Sequence, residues 1–375
     1  MVANKNYPLI LNETWLKLSL VKETMNMKKL NVALAIFVAA VMAVNAQTNS
    51  TNQPVYSDIV GYNTITAAGN GGSGIKYSFL AANLLNSPTF VGSINGSLTA
   101  SAGSFTDGQF NKGTTYAKYY VELTNGVNAG QQADIISNTT DTLTVLDNTA
   151  FQVLVGSGAT IKIHKHRTLS DVFGGASGTT SATDVLLAKG STLGAADNLM
   201  IYEEGSYKNF YYSSSALRPG WRDAAGAVAA DRPIYPSQGI IIARKTNSDL
   251  NAVVVGTVKT GVSMMDLDAG YTLINLPAPA DATLPSIFGG ASGAATATDV
   301  KIAKGATLGA ADNILIVGPT GAFETYYYSS NALRAGWRNS TGAASSAVNI
   351  SGSAAIFIKK AATGSLSVTQ VAASQ

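Results

Sequence analysis

The apolar positions of the chain fall into short runs with a period of two rather than the spacing of long helices. Tyr119, Val121 and Leu123 alternate with Tyr120, Glu122 and Thr124, and Leu143 and Val145 alternate with Thr142 and Thr144. Such alternation predicts half-buried strands, and Asn125-Gly126 supplies a hairpin turn between two of them. Further strands are predicted at "NLMIY" (198–202), "IIIA" (240–243), "NAVVVG" (251–256), "NILIV" (313–317), "IFIK" (356–359) and "SLSVTQV" (365–371). Gly, Ala, Ser, Asn and Asp separate them and provide the turns. In the run that ends at His166, Ile161 and Ile163 share one face while Lys162, His164 and His166 share the other. This reads as a half-buried sheet with a polar, solvent-facing outer side.

Helical spacing occurs in two short stretches. Leu169, Val172 and Phe173, and again Leu284, Ile287 and Phe288, stand at i, i+3, i+4. Thr168 and Thr283 precede them as N-cap hydroxyls, and paired glycines follow as a stop.

These two stretches open an internal repeat. Residues 168–198 match 283–313 at 22 of 31 positions, and "NFYYSSSALRPGWR" (209–222) matches "TYYYSSNALRAGWR" (325–338) at 10 of 14. Each repeat also begins earlier, because "GVSMMDLDAGYTLINLP" (261–277) resembles "GYNTITAAG" (61–69) joined to "YSFLAANLL" (77–85). Only a Pro/Ala connection follows in the second copy, whereas roughly 80 residues intervene in the first, which reads as an inserted domain. The expected fold is all-β, with two homologous antiparallel modules, sandwich or barrel-like, each carrying one short helix. Residues 47–86 and 168–258 form the first module, 87–167 a small inserted β domain, and 259–375 the second module.

Positions 1–46 are expected to be a leader. Met27-Lys28-Lys29, the apolar run Val32–Val44 and the small-residue ending Val44-Asn45-Ala46 follow the order of a secretory signal peptide, with translation starting at Met27 and cleavage before Gln47. The 13-residue apolar run is short for a membrane span, and nothing later in the sequence approaches spanning length. Five of the 25 basic and two of the 22 acidic residues lie in the leader, leaving 20 of each and a formal net charge of zero. With no basic surplus, nucleic acid drops out as a partner, and colloidal repulsion between copies is weak. The absence of cysteine removes disulfides and thiolate chemistry.

The duplicated Tyr/Trp/Arg segments leave two readings open. Tyr212, Arg218, Trp221 and Arg222, repeated as Tyr328, Arg334, Trp337 and Arg338, are candidate ligand-binding residues that would make a platform for a sugar ring or polymer chain. Alternatively, the tryptophans close an edge of each core, and the arginines stack on rings or bond loop carbonyls. His164 and His166 lack a nearby carboxylate to complete a metal shell and read as part of a solvated strand. Asp184, Asp197, Asp299 and Asp312 are assigned to turns, and "FGGASG" lacks the lysine of a phosphate loop. No catalytic residue, cofactor or metal is expected.

The leader, "VGYNTIT" (60–66), the segments at 119–145 and 161–174, the "YYY…GWR" segments and "IYPSQGIIIARK" (234–245) give the chain a family likeness. It resembles a family of exported Gly/Ala/Thr-rich β proteins from verrucomicrobial bacteria. The resemblance spans nearly all of residues 47–375 and implies an exported all-β protein without an activity to carry over. The second repeat departs from it where "ISGSAAIFIKK" replaces the Pro/Gln/Gly turn. The leading expectation is a non-enzymatic structural or adhesive protein of the cell envelope or extracellular matrix. Its partner would be another copy of itself or an extracellular polysaccharide. A glycan-binding protein using the duplicated segments and an outer-membrane β-barrel are the alternatives. Against a barrel, the chain ends in "VTQVAASQ" without a terminal aromatic.

Overall fold

The apolar runs become strands, and every pairing between them is antiparallel. The structure is a computed structural model that describes residues 59–369, apart from 73, 157, 204–205, 277–280 and 319–320. The leader, its cleavage site and residues 47–58 lie outside the described residues.

In the first repeat, Val60–Ala67, Leu250–Val258 and Leu84–Leu85 form a three-stranded sheet. A second sheet has five strands in the order Gly220–Asp223, Ser206–Ser213, Asn198–Glu203, Gly239–Arg244 and Lys76–Ala81. One core fills the space between them, with Ile65, Ala252 and Val254 from the first sheet and Leu199, Ile201, Ile240 and Ile242 from the second. Alternate residues of the three-stranded sheet face water, so this module is a sandwich.

The second repeat builds a matching five-stranded sheet from Gly270–Asn275, Ala355–Lys360, Asn313–Val317, Phe323–Ser329 and Gly336–Asn339. Val262–Leu267 pairs with Gly364–Thr369 across its core.

The two short helices appear where the sequence places them, at Leu169–Phe173 and Leu284–Phe288. The Thr168 hydroxyl accepts from the Asp171 amide at 3.2 Å, the Thr283 hydroxyl accepts from the Ser286 amide at 3.4 Å, and the residue three places on bonds back to each cap. Each helix turns Leu, Val/Ile and Phe into its module's core and stops at a glycine with φ of 76° or 78°. A Cβ at the next glycine, Gly175 or Gly290, would lie 2.2 Å from the ring of Tyr212 or Tyr328. That contact requires glycine there.

Within the first repeat, between residues 86 and 168, Pro88–Ile94, Ala159–Lys165, Tyr119–Leu123, Gln132–Asn138 and Leu143–Val145 form a third five-stranded sheet around a separate core. The largest sheets among the described residues thus have five strands, fewer than the eight or more of a membrane-spanning barrel.

The two repeats meet through reciprocal contacts. Lys76–Ala81 and Gly239–Arg244 occupy the places that Gly270–Asn275 and Ala355–Lys360 occupy in the second repeat. The Ala81 amide donates to the Ser353 carbonyl at 2.9 Å, and its counterpart, the Asn275 amide, donates to the Ser237 carbonyl at 2.8 Å. Two asparagine side chains add to this seam from non-equivalent positions, Asn83 donating to the Gly352 carbonyl and Asn275 to the Pro236 carbonyl. Phe79, Ile241, Leu273 and Phe357 fill the space between the sheets. If residue i meets j while the equivalent of j meets the equivalent of i, the interface is that of a two-fold dimer. Here both halves lie on one chain.

Candidate functional site

The Tyr/Trp/Arg segments are core. Tyr212, Trp221, Tyr328 and Trp337 are buried, with each Tyr ring edge-on to its Trp at 5.7 and 5.4 Å. Their polar atoms bond inward. Tyr212 Oη donates to the Thr179 carbonyl and Trp221 Nε1 to the Gly174 carbonyl; Tyr328 and Trp337 repeat this on Ala294 and Gly289. The reading of these four rings as a ligand platform is therefore corrected, because no ring face is open and no donor is free. Arg222 and Arg338 are half-buried and donate to the carbonyls of Pro219 and Gly226, and of Ala335 and Gly342. They brace their own loops. Of the eight candidates only Arg218 and Arg334 are exposed, on tips beside Leu217 and Leu333.

The acids assigned to turns do more than turn the chain. Asp184 and Asp299 accept from the Gly175 and Gly290 amides and close nine-residue loops. Asp197 and Asp312 are fully buried, each accepting two backbone amides. Asp197 pairs with Arg244, and Asp312 pairs with Lys360 at 3.1 Å.

The polar face of the inserted sheet carries the other correction. His164 and His166 are 2% and 1% exposed rather than solvated, and Tyr120 and Glu122 beside them are buried too. This face is covered by the two repeats, and its charges meet partners across the junction. Glu122 pairs with Lys259, which joins the repeats, and Arg167 donates to the carbonyls of Leu84, Leu85 and Val255. Asp134 binds His166 Nε2 and the Tyr235 hydroxyl, both at 2.8 Å. Arg232 pairs with Glu203 and lies over the rings of Tyr116 and Tyr235. Burial raises the pKa of Tyr120 well above its ordinary value, and burial with the Asp134 carboxylate raises that of Tyr235. Burial also lowers that of His164, whose Nδ1 donates to the Asn86 carbonyl at 2.7 Å.

Beside this network an open cleft of about 540 Å³ lies where the insert and both repeats meet. Asp134, His166 and Tyr120 line it from the insert, Tyr202, Tyr235 and Gln238 from the first repeat, and Asp266 and Thr272 from the second. His166 Nδ1 and Tyr120 Oη are buried without a partner among the described residues. The Asp134–His166 pair has the geometry that orients an imidazole in acid–base sites, yet no nucleophilic hydroxyl is bonded to Nδ1. Among the described residues, no group of three or more His, Asp or Glu side chains is arranged to hold a metal ion.

None of these cleft residues except His166 stands out in the sequence alone. The available signal was the difference between the repeats. Ile234 and Ile350 occupy matching strands, so Arg232 and Tyr235 stand where the second copy has Val348 and Ser351. The first copy departs from the second where it touches the insert.

A scan against protein-family models and searches of curated proteins and of solved structures returned no match to this chain.

Proposed function

We propose that the protein is an exported, non-enzymatic structural or adhesive component of the cell envelope or extracellular matrix that assembles with copies of itself. The leader pattern and the zero net charge of residues 47–375 support export and close approach of copies. One observation carries the assembly. Val60–Ala67 is an eight-residue strand that pairs with Leu250–Val258 on one side and with no strand on the other among the described residues. Its sequence, VGYNTITA, has no Lys, Pro or charged side chain, and Val60 and Tyr62 are exposed on its outer face together with Val253. Natural edges of that length are blunted by charge, proline or a cover. The equivalent strand of the second repeat, Val262–Leu267, contains Asp266 and has the insert against it, with the Met264 amide bonded to the Gly130 carbonyl. The edge of the first repeat, which no strand of the described residues covers, suits antiparallel pairing with the same edge of another copy.

Sedimentation of residues 47–375 without detergent, over a concentration series, tests this. The wild type is expected to grow in mass with concentration. A Tyr62→Lys/Thr64→Lys variant is expected to stay monomeric with an unchanged melting midpoint, since both positions are exposed. A wild type that remains monomeric throughout, or a variant that associates like it, overturns the proposal.

A further inference from the structure

The cleft at the three-way junction is a place where buried polar atoms lack partners. Tyr120 and His166 line it, the residues are 3% and 1% exposed, and Tyr120 Oη and His166 Nδ1 have no hydrogen-bond partner among the described residues. Leaving such groups unbonded costs about 1–3 kcal/mol each, so a floor containing two of them is arranged to receive hydrogen bonds from something that enters. Their roles follow from the neighbours. Asp134 accepts a hydrogen bond from His166 Nε2, which leaves Nδ1 as the ring nitrogen available to an occupant. The Tyr120 hydroxyl can donate or accept.

The walls define the chemistry of the occupant. Among the described residues no Lys or Arg lines the cleft, while Asp134, Asp147 and Asp266 do, so phosphate, sulfate and carboxylate ligands are disfavoured. Gln131, Gln132 and Gln238 add amides that both donate and accept, and Tyr202 and Tyr235 bring aromatic rings to the wall. Two of the three carboxylates are already engaged, Asp134 by His166 and Tyr235, and Asp266 by the Ser365 hydroxyl. They present lone pairs within a hydrogen-bonded lattice rather than bare charge, which favours hydroxyl donors over a free cation. Hydroxyls that donate and accept at once, attached to a body with C–H faces that pack on tyrosine, match this surface.

We infer that the junction cleft is a binding site for a neutral saccharide, with Tyr120 and His166 bonding its hydroxyls at the floor and Tyr202 packing against the ring. The site is separate from the edge strand Val60–Ala67, so it stands or falls independently of self-assembly. It also moves saccharide recognition away from the duplicated Trp segments, which are closed.

Isothermal titration of residues 47–375 tests the site with glucose, galactose, mannose, N-acetylglucosamine and a tetramer of each. Putrescine and a sulfated disaccharide serve as charged controls. At least one neutral probe is expected to bind, and neither control is. Tyr202→Ala, on the half-buried wall, is expected to weaken that binding at least about tenfold, equivalent to about 1.4 kcal/mol, while the melting midpoint stays put. His166→Gln is expected to weaken it as well. Binding of putrescine in place of the saccharides, no binding of any neutral probe, or unchanged affinity in Tyr202→Ala overturns the inference. Loss of binding in Arg218→Ala/Arg334→Ala with none in Tyr202→Ala would also overturn it by returning the site to the duplicated loops.

Discussion

The two repeats share their interiors and differ on their outsides. Tyr212, Trp221, Phe173 and Gly175 have counterparts in Tyr328, Trp337, Phe288 and Gly290 with nearly the same distances and hydrogen bonds. Arg232, Tyr235 and Glu203, by contrast, are replaced by Val348, Ser351 and Gly318 in the second copy, and all three belong to the network under the insert. Identity between copies therefore marks what each module needs to fold. Divergence marks where the copies took on different neighbours.

The largest expected effect tests the shared interior. Trp221→Ala and Trp337→Ala each remove a fully enclosed indole and its hydrogen bond, so each is expected to cost about 3–5 kcal/mol in urea unfolding of the full chain. The two losses are expected to agree closely. A much smaller loss for one of them would break the equivalence and reopen that segment as a binding surface.

An intermediate effect tests the divergence. Tyr235→Phe strips a donor from Asp134, and leaving that carboxylate oxygen short of a partner is expected to cost about 1–3 kcal/mol. Ser351→Ala, at the matching position, touches no such network and is expected to change stability by less than about 0.5 kcal/mol. Equal effects in the two variants would mean that the insert is not anchored through Tyr235.

How much of this was legible beforehand follows from what sequence spacing encodes. The caps at Thr168 and Thr283, the apolar edges of both helices and the alternation in the insert are local patterns, and each reports a structure made by neighbours in sequence. Alternation says that Tyr120, Glu122, His164 and His166 share a face. It cannot say whether water or another domain lies against that face, because the covering residues, Lys259 and Tyr235, are about 70 to 140 positions away. The same limit hid the cleft, whose walls come from three separated stretches of chain. The Trp segments misled in the opposite direction. An aromatic and Arg-rich motif has the composition of a sugar platform, and only burial together with the Gly174 and Gly289 acceptors shows that the rings face inward.

The smallest expected effect sharpens the comparison through pH. His164 sits on the face of the insert that the repeats cover, where Nδ1 donates to the Asn86 carbonyl and Nε2 has no partner among the described residues. Glu122, Lys259 and Lys162 act on it electrostatically, and Tyr120 stacks on its ring at 5.3 Å. Burial is the largest influence and lowers its pKa below the ordinary histidine value near 6.5, so folding favours the neutral ring. As pH falls through that value, the unfolded chain takes up a proton that the folded chain still refuses. Stability therefore drops from about pH 6.5 down to the folded pKa, and His164 adds no further change below it. The melting midpoint of the wild type is expected to fall between pH 7.5 and pH 5, and that of His164→Gln to fall less. An equal fall in both would mean that His164 has a nearby route to water and that the repeats cover it less tightly than its 2% exposure implies. Since the second repeat has neither an insert nor a histidine, a histidine-dependent slope would belong to the junction alone.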